Sequence, residues 1–170
     1  SQVVHLVHLS FKKGYPMEKL LRFLNPKSVN LDAMPSGGIP LFTTADACLT
    51  LSYARLTPVQ NKLLQCYALN QNHVEQLKSA AKFLHLAFVE AKRADNHPDH
   101  AVAMFVALVE LCAVPADYKP SERNRAVLGG VSRMQIQRKL GVLINKFKDE
   151  FKDELEIVES KLDHQMNKKY

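Results

Sequence analysis

Tryptophan is absent from these 170 residues, and phenylalanine and tyrosine number only eight and five. Proteins that hold single-stranded nucleic acid usually offer exposed aromatic platforms to its bases. With no Trp in the chain and only Phe147 between residues 119 and 148, RNA binding is expected to rest mainly on phosphates. Cysteine is also scarce. Cys48, Cys66 and Cys112 are odd in number, no two stand closer than 18 positions, and each lies in an apolar stretch. That pattern reads as buried reduced thiols in an intracellular, reducing compartment, not as a disulfide framework. No CxxC pair occurs, which argues against a zinc knuckle or ribbon.

No apolar run is long enough for a membrane. The longest, Ala101–Val114, has fourteen residues and is interrupted by Glu110, whereas a span needs about 20. It reads as a central core helix. The first residues, SQVVHLVHLSFKKGYP, place their basic groups after the apolar stretch, the reverse of a signal peptide. The chain opens on Ser instead of Met, which suggests processing or a fragment. Gly37-Gly38 is not followed by the lysine and hydroxyl of a phosphate loop. There is no fixed-period repeat and no low-complexity tract.

What the sequence does contain is helix punctuation. Residues 1–42 read as an N-terminal strand or arm, a short helix over 17–24, and a loop rich in Pro and Gly. Residues 43–170 read as one helical domain. Thr43-Thr44-Ala45-Asp46 opens a stretch to about Arg55. Thr57-Pro58-Val59-Gln60 has the cap, the first-turn proline and the reciprocal glutamine of a strong helix start. Asn72 is expected to cap a helix reaching about Ala94, with Val74, Leu77, Ala81, Leu84 and Phe88 on one stripe and Phe83, Leu86 and Ala87 widening it toward further neighbours. His97-Pro98 starts the next helix. Ser121–Leu128 forms a short helix that Gly129-Gly130 ends. Ser132 then caps a long helix over 132–166. Its apolar residues Ile136, Leu140, Leu143, Phe147, Phe151, Leu155, Val158, Leu162 and Met166 recur every 3.75 residues on average. Such a helix extends on the order of 50 Å. The expected class is all-α: a bundle of about six or seven helices with a long C-terminal helix.

The second half of that helix carries a narrow apolar seam among dense charges of both signs. Phe147, Phe151, Leu155, Val158 and Leu162 are therefore expected to form an oligomer interface, or else to fold back onto the chain's own bundle.

The formal charge is +6 and the pI about 9.2, and the excess is concentrated. Between 119 and 148 lie Lys119, Arg123, Arg125, Arg133, Arg138, Lys139, Lys146 and Lys148 against Glu122 alone, while 149–170 is mostly acidic. Clustered cations favour a polyanion, because neutralised phosphates release counterions. The alternative is a solvated face whose cations pair with nearby acids.

Within this block, RAVLGGVSRMQIQRKL (125–140) resembles the core of a helix-turn-helix motif. Ala126 allows a close crossing, Gly130 permits the turn, Ser132 caps the second helix, and Ile136 and Leu140 anchor it. The resemblance implies that Arg133, Gln135, Gln137, Arg138 and Lys139 stand exposed near the start of a helix suited to the major groove. It departs at Gly129, where an apolar residue usually packs, and in the length of the second helix.

Other clusters read as structural. Asp95, His97, Asp99 and His100 crowd a helix start, where Asp95 or Asn96 is expected to cap and Asp99 to favour the positive end. His5 and His8 would face opposite sides of a strand. His85 has no orienting acid that would make a nucleophile pair with Cys66 or Cys112. No catalytic, metal or cofactor residues are assigned. The reading is a non-enzymatic nucleic-acid-binding accessory factor of transcription or replication that oligomerises. The competing class is an adaptor or structural protein whose long C-terminal helix binds a partner.

Overall fold

The computed structural model describes residues 44–69 and 71–167. The expected N-terminal arm, its short helix, the Pro/Gly loop, His5 and His8 lie outside them. The described residues form no strand and fold into six helices, the all-α class expected.

Helix α1 is Thr44–Tyr53. Helix α2, Pro58–Ala68, starts at the expected capping box: Thr57 Oγ1 accepts the Gln60 N–H at 3.2 Å and Gln60 Oε1 accepts the Thr57 N–H at 3.1 Å. Helix α3, Val74–Glu90, is capped by His73 and not Asn72, with Gln76 Oε1 accepting the His73 N–H at 3.0 Å. It stops before Ala94 because Lys92 takes a left-handed φ of 57° and the chain turns back through Arg93 N–H to Phe88 C=O at 2.8 Å. Helix α4, Pro98–Cys112, is capped by His97, whose Nδ1 accepts the Asp99 N–H at 3.1 Å, so neither Asp95 nor Asn96 holds that position. Helix α5 is Glu122–Gly129, with Ser121 as its cap and Gly130 in the left-handed region at φ 65°.

Helix α6 is one long rod with an irregular start. Its first turn is Arg133–Gln135, followed by a π-helical turn, Ile136–Leu140, and then Gly141–Asn167. The wider turn is closed by the Gly141 N–H donating to the Ile136 carbonyl. A Cβ on Gly141 would come within 2.8 Å of that oxygen, so only glycine fits there without a shift.

Helix α4 is the central element. It packs against α3 and α6 most extensively and also against α2 and α5. Ala103, Met104, Val106, Ala107 and Leu108 are all buried, as an apolar sequence on nearly every face requires. Phe88 of α3 packs edge-to-face with Phe147 and Phe151 of α6 at centroid distances of 6.1 and 5.7 Å. Such edge-to-face pairs add to the stabilisation from burial alone.

Two expectations are corrected by this packing. The seam Phe147, Phe151, Leu155, Val158 and Leu162 is at most 3% exposed within the single chain. It is core, not an oligomer interface, because α6 lies along its own bundle over α1, α2, α3 and α4. Ile144, not Leu143, completes the fully buried row. On α3, Phe83 and Leu86 are exposed, so they do not widen its buried stripe. The ring of Phe83 is met instead by Lys62, whose Nζ stands 5.0 Å from its centroid.

The acid-rich second half of α6 has a structural task. Glu154 accepts hydrogen bonds from Arg93 Nη1 and Gln60 Nε2, both at 2.9 Å, and Lys161 Nζ donates to Gln60 Oε1 at 2.7 Å. These polar links tie α6 to α2 and to the turn after α3. Arg93 also lies 4.2 Å over the Phe88 ring, so its cation caps the aromatic cluster.

Candidate nucleic-acid interface

The basic block occupies the loop before α5, α5 itself and the first turns of α6. Local sequence sets this up. Gly130 reverses the chain, Val131 N–H donates to Ala126 C=O at 3.0 Å, and Ser132 Oγ accepts the Gln135 N–H at 3.2 Å to start α6. Ala126 is buried. Gly129 packs against Val102 and Val106 of α4, where an added Cβ would lie 3.0 Å from a Val102 methyl. The departure of Gly129 from the helix-turn-helix pattern is thus explained by close packing of α5 on the central helix.

The cations divide into three groups. Arg125 and Lys148 turn inward onto Glu110, whose side chain has no exposed surface. Arg125 donates from Nε to Oε2 and from Nη2 to Oε1, both at 2.8 Å. Tyr118 donates its hydroxyl to Oε2 at 3.0 Å and Lys148 Nζ reaches Oε1 at 3.3 Å. Burial pushes the Glu110 carboxyl up, but the Arg125 hydrogen bonds and charge, the Tyr118 hydroxyl and Lys148 outweigh it and hold it below the usual glutamate range. Burial and the facing carboxylate in turn push the Tyr118 phenol well above its ordinary value. Arg125 and Lys148 are therefore framework residues and are withdrawn from the candidate surface.

A second group pairs at the surface. Lys139 Nζ lies 3.0 Å from Asp99, and its hydrogen bond, with the neighbouring cationic charges, lowers the Asp99 pKa despite some desolvation. Arg133 lies 3.7 Å from Glu122, and Gln137 Nε2 donates to the same carboxylate at 2.8 Å. Exposed pairs of this kind are worth little and exchange readily. Gln135 is occupied by the cap, its Oε1 accepting the Ser132 N–H at 2.9 Å.

The third group has no ion-pair partner among the described residues: Lys119, Arg123, Arg138 and Lys146, all exposed. Lys146 Nζ lies 5.5 Å from the centroid of the Phe147 ring. Exposed apolar side chains lie among these cations, namely Val127, Met134 and Val142.

The resulting flank is cationic but differs from a duplex reader. Gln135 and Gln137, the two amides suited to adenine edges, already hold hydrogen bonds within the fold. The acids that neutralise part of the block are also not those that follow it in sequence. Asp99, Glu110 and Glu122 precede the cations they pair with, while Glu154 faces the bundle.

One feature of this flank escaped the sequence reading. Tyr118, just outside the block, lines a concavity of about 420 Å³ with Arg123, Asn124, Val127 and Leu128. The signal that pointed to this corner was Glu110, a lone acid in an otherwise apolar helix. Such an acid must find donors, and it draws Tyr118 and Arg125 to itself.

Among the described residues, no group of three or more His, Cys, Asp or Glu side chains is placed to hold a metal ion. His97 and His100 act as backbone acceptors, His100 Nδ1 taking the Asp95 N–H at 3.2 Å, and burial lowers the His100 pKa. Cys66 and Cys112 are free and buried, and burial pushes the Cys66 thiol up to about 11. Neither thiol is primed as a nucleophile. No described helix is long and apolar enough to cross a membrane.

No protein-family model, curated protein or solved structure matches this chain. The functional reading therefore stands on its own geometry and charge.

Proposed function

We propose that the chain is a non-enzymatic nucleic-acid-binding accessory factor, of the kind that serves transcription or replication in a reducing compartment. It holds phosphates on the flank formed by α5 and the start of α6. The observation that carries this reading is the set Lys119, Arg123, Arg138 and Lys146, exposed and without acidic partners among the described residues. Arg133 and Lys139 join them by releasing weak surface pairs. The framework beneath is rigid: Arg125, Lys148 and Tyr118 converge on Glu110 and lock α5 and α6 to α4.

A salt titration tests the proposal. Binding of a labelled oligonucleotide should weaken steeply with salt, each phosphate contact contributing about 0.7–0.9 to the slope of log affinity against log salt. The triple variant Arg123→Ala, Arg138→Ala and Lys146→Ala should lower that slope by about two to three while the melting temperature stays within about 2 °C of wild type. An unchanged slope, or no binding by the wild type at low salt, would overturn the assignment.

A further inference from the structure

Resting on the reading above, we propose that the concavity beside α5 receives an unpaired base of a single-stranded nucleic acid, with an adjoining phosphate on Arg123. The chemistry of its walls points to that ligand. Tyr118 spends its hydroxyl on buried Glu110 at 3.0 Å. The polar end of the ring is satisfied inside the protein, its orientation is fixed, and what remains for the concavity is apolar ring surface. Val127, 77% exposed, and Leu128 add aliphatic wall. Asn124 Nδ2 donates to the Lys119 carbonyl at 2.8 Å, which leaves Oδ1 to accept from an N–H of a base, such as the N3–H of thymine. Arg123 lines the same concavity, exposed and without an acidic partner among the described residues.

An apolar floor, one hydrogen-bonding amide and a free guanidinium match the three parts of a nucleotide: ring face, base edge and phosphate. About 420 Å³ is ample for one base. A base stacked in a duplex cannot enter unless it is flipped out, so the site discriminates for single strands. Base stacking on an aromatic side chain contributes on the order of tenfold to a hundredfold in affinity and tolerates any base. The sparse aromatic content of the chain is compatible with one such platform.

The test uses the whole chain and three probes at one salt concentration: a labelled oligothymidylate of about twelve nucleotides, a duplex of the same length, and poly-glutamate as competitor. Wild type should bind the single strand at least tenfold more tightly than the duplex. Val127→Glu places a carboxylate in the concavity within reach of Arg123, and should weaken single-strand binding at least tenfold while helicity and melting are unchanged. Met134→Glu makes the same charge change on the same flank outside the concavity, and should weaken both nucleic acids only two- to threefold.

Equal losses from the two variants, or no preference for the single strand, would overturn this inference. If the duplex then still binds and still responds to the Arg123, Arg138 and Lys146 changes, the broader function stands and only the base site falls. Poly-glutamate competing as well as oligothymidylate, residue for phosphate, would also overturn it and mark the flank as an acidic-peptide surface. Binding of no nucleic acid at all would remove both readings together.

Discussion

Glu110 shows how one residue organises this corner of the molecule. A carboxylate buried in an apolar helix is costly unless its oxygens are filled, and here Arg125, Tyr118 and Lys148 fill them. Removing the acid strands two cations that keep little solvent. Glu110→Gln should cost about 3 kcal/mol in a urea titration. Adding Arg125→Met should recover part of that loss, since the uncompensated guanidinium goes with it. The pH dependence follows from the direction of the shift. The folded-state pKa of Glu110 lies below its unfolded value, so in acid the unfolded state binds the proton more readily. The stabilisation is complete above the ordinary glutamate pKa and is lost as pH falls through the folded value. Stability measured from pH 7 down to pH 3 should therefore decline less steeply in Glu110→Gln than in wild type. Glu110 was visible in sequence as the interruption of an apolar run. Its partners were not, because Tyr118, Arg125 and Lys148 are ordinary surface residue types until the fold gathers them.

At the scale of the element, helix starts were the most legible feature. Thr57, Ser121 and Ser132 cap helices where hydroxyls precede periodic apolar residues, since a free N–H needs a nearby acceptor and these side chains are the right length. His73 and His97 were missed as caps because histidine competes poorly on preference, yet at His97 an imidazole nitrogen does the same work. The π turn in α6 was invisible for a different reason. One inserted residue hardly alters a hydrophobic pattern already spaced at three and four, and only the glycine that follows betrays it. Gly141→Ala distinguishes the two geometries. In a regular helix this change stabilises by about 1 kcal/mol. Here the new methyl meets the Ile136 carbonyl at 2.8 Å, and the expected result is a loss of about 1–3 kcal/mol in the same titration.

For the whole molecule, the long helix decides the architecture. A seam of phenylalanine and aliphatic side chains inside a charged sequence suits either a partner subunit or the chain's own bundle. The folded chain itself buries that seam, with Phe147 and Phe151 against Phe88. Phe151→Ala should accordingly cost about 3–5 kcal/mol. Because the lost contacts are within one chain, the melting temperature of this variant should be the same at protein concentrations a hundredfold apart. A concentration-dependent transition would instead restore the seam to an intermolecular role.

The helical class, the central position of the helix that holds Ala101–Cys112, the main caps and the clustering of cations were all determined by the order of residues, because periodicity, capping and net charge are local properties of the chain; only the end of that helix, at Cys112 and not Val114, was not. Which cations meet solvent was decided only in three dimensions. Arg125 and Lys148 belong to the same charge cluster as Arg123 and Lys146, but the first pair faces a buried carboxylate brought from α4 and the second pair faces water. Long-range packing chose between them, since the electrostatic environment of a side chain depends on what lies across from it, not on what precedes it.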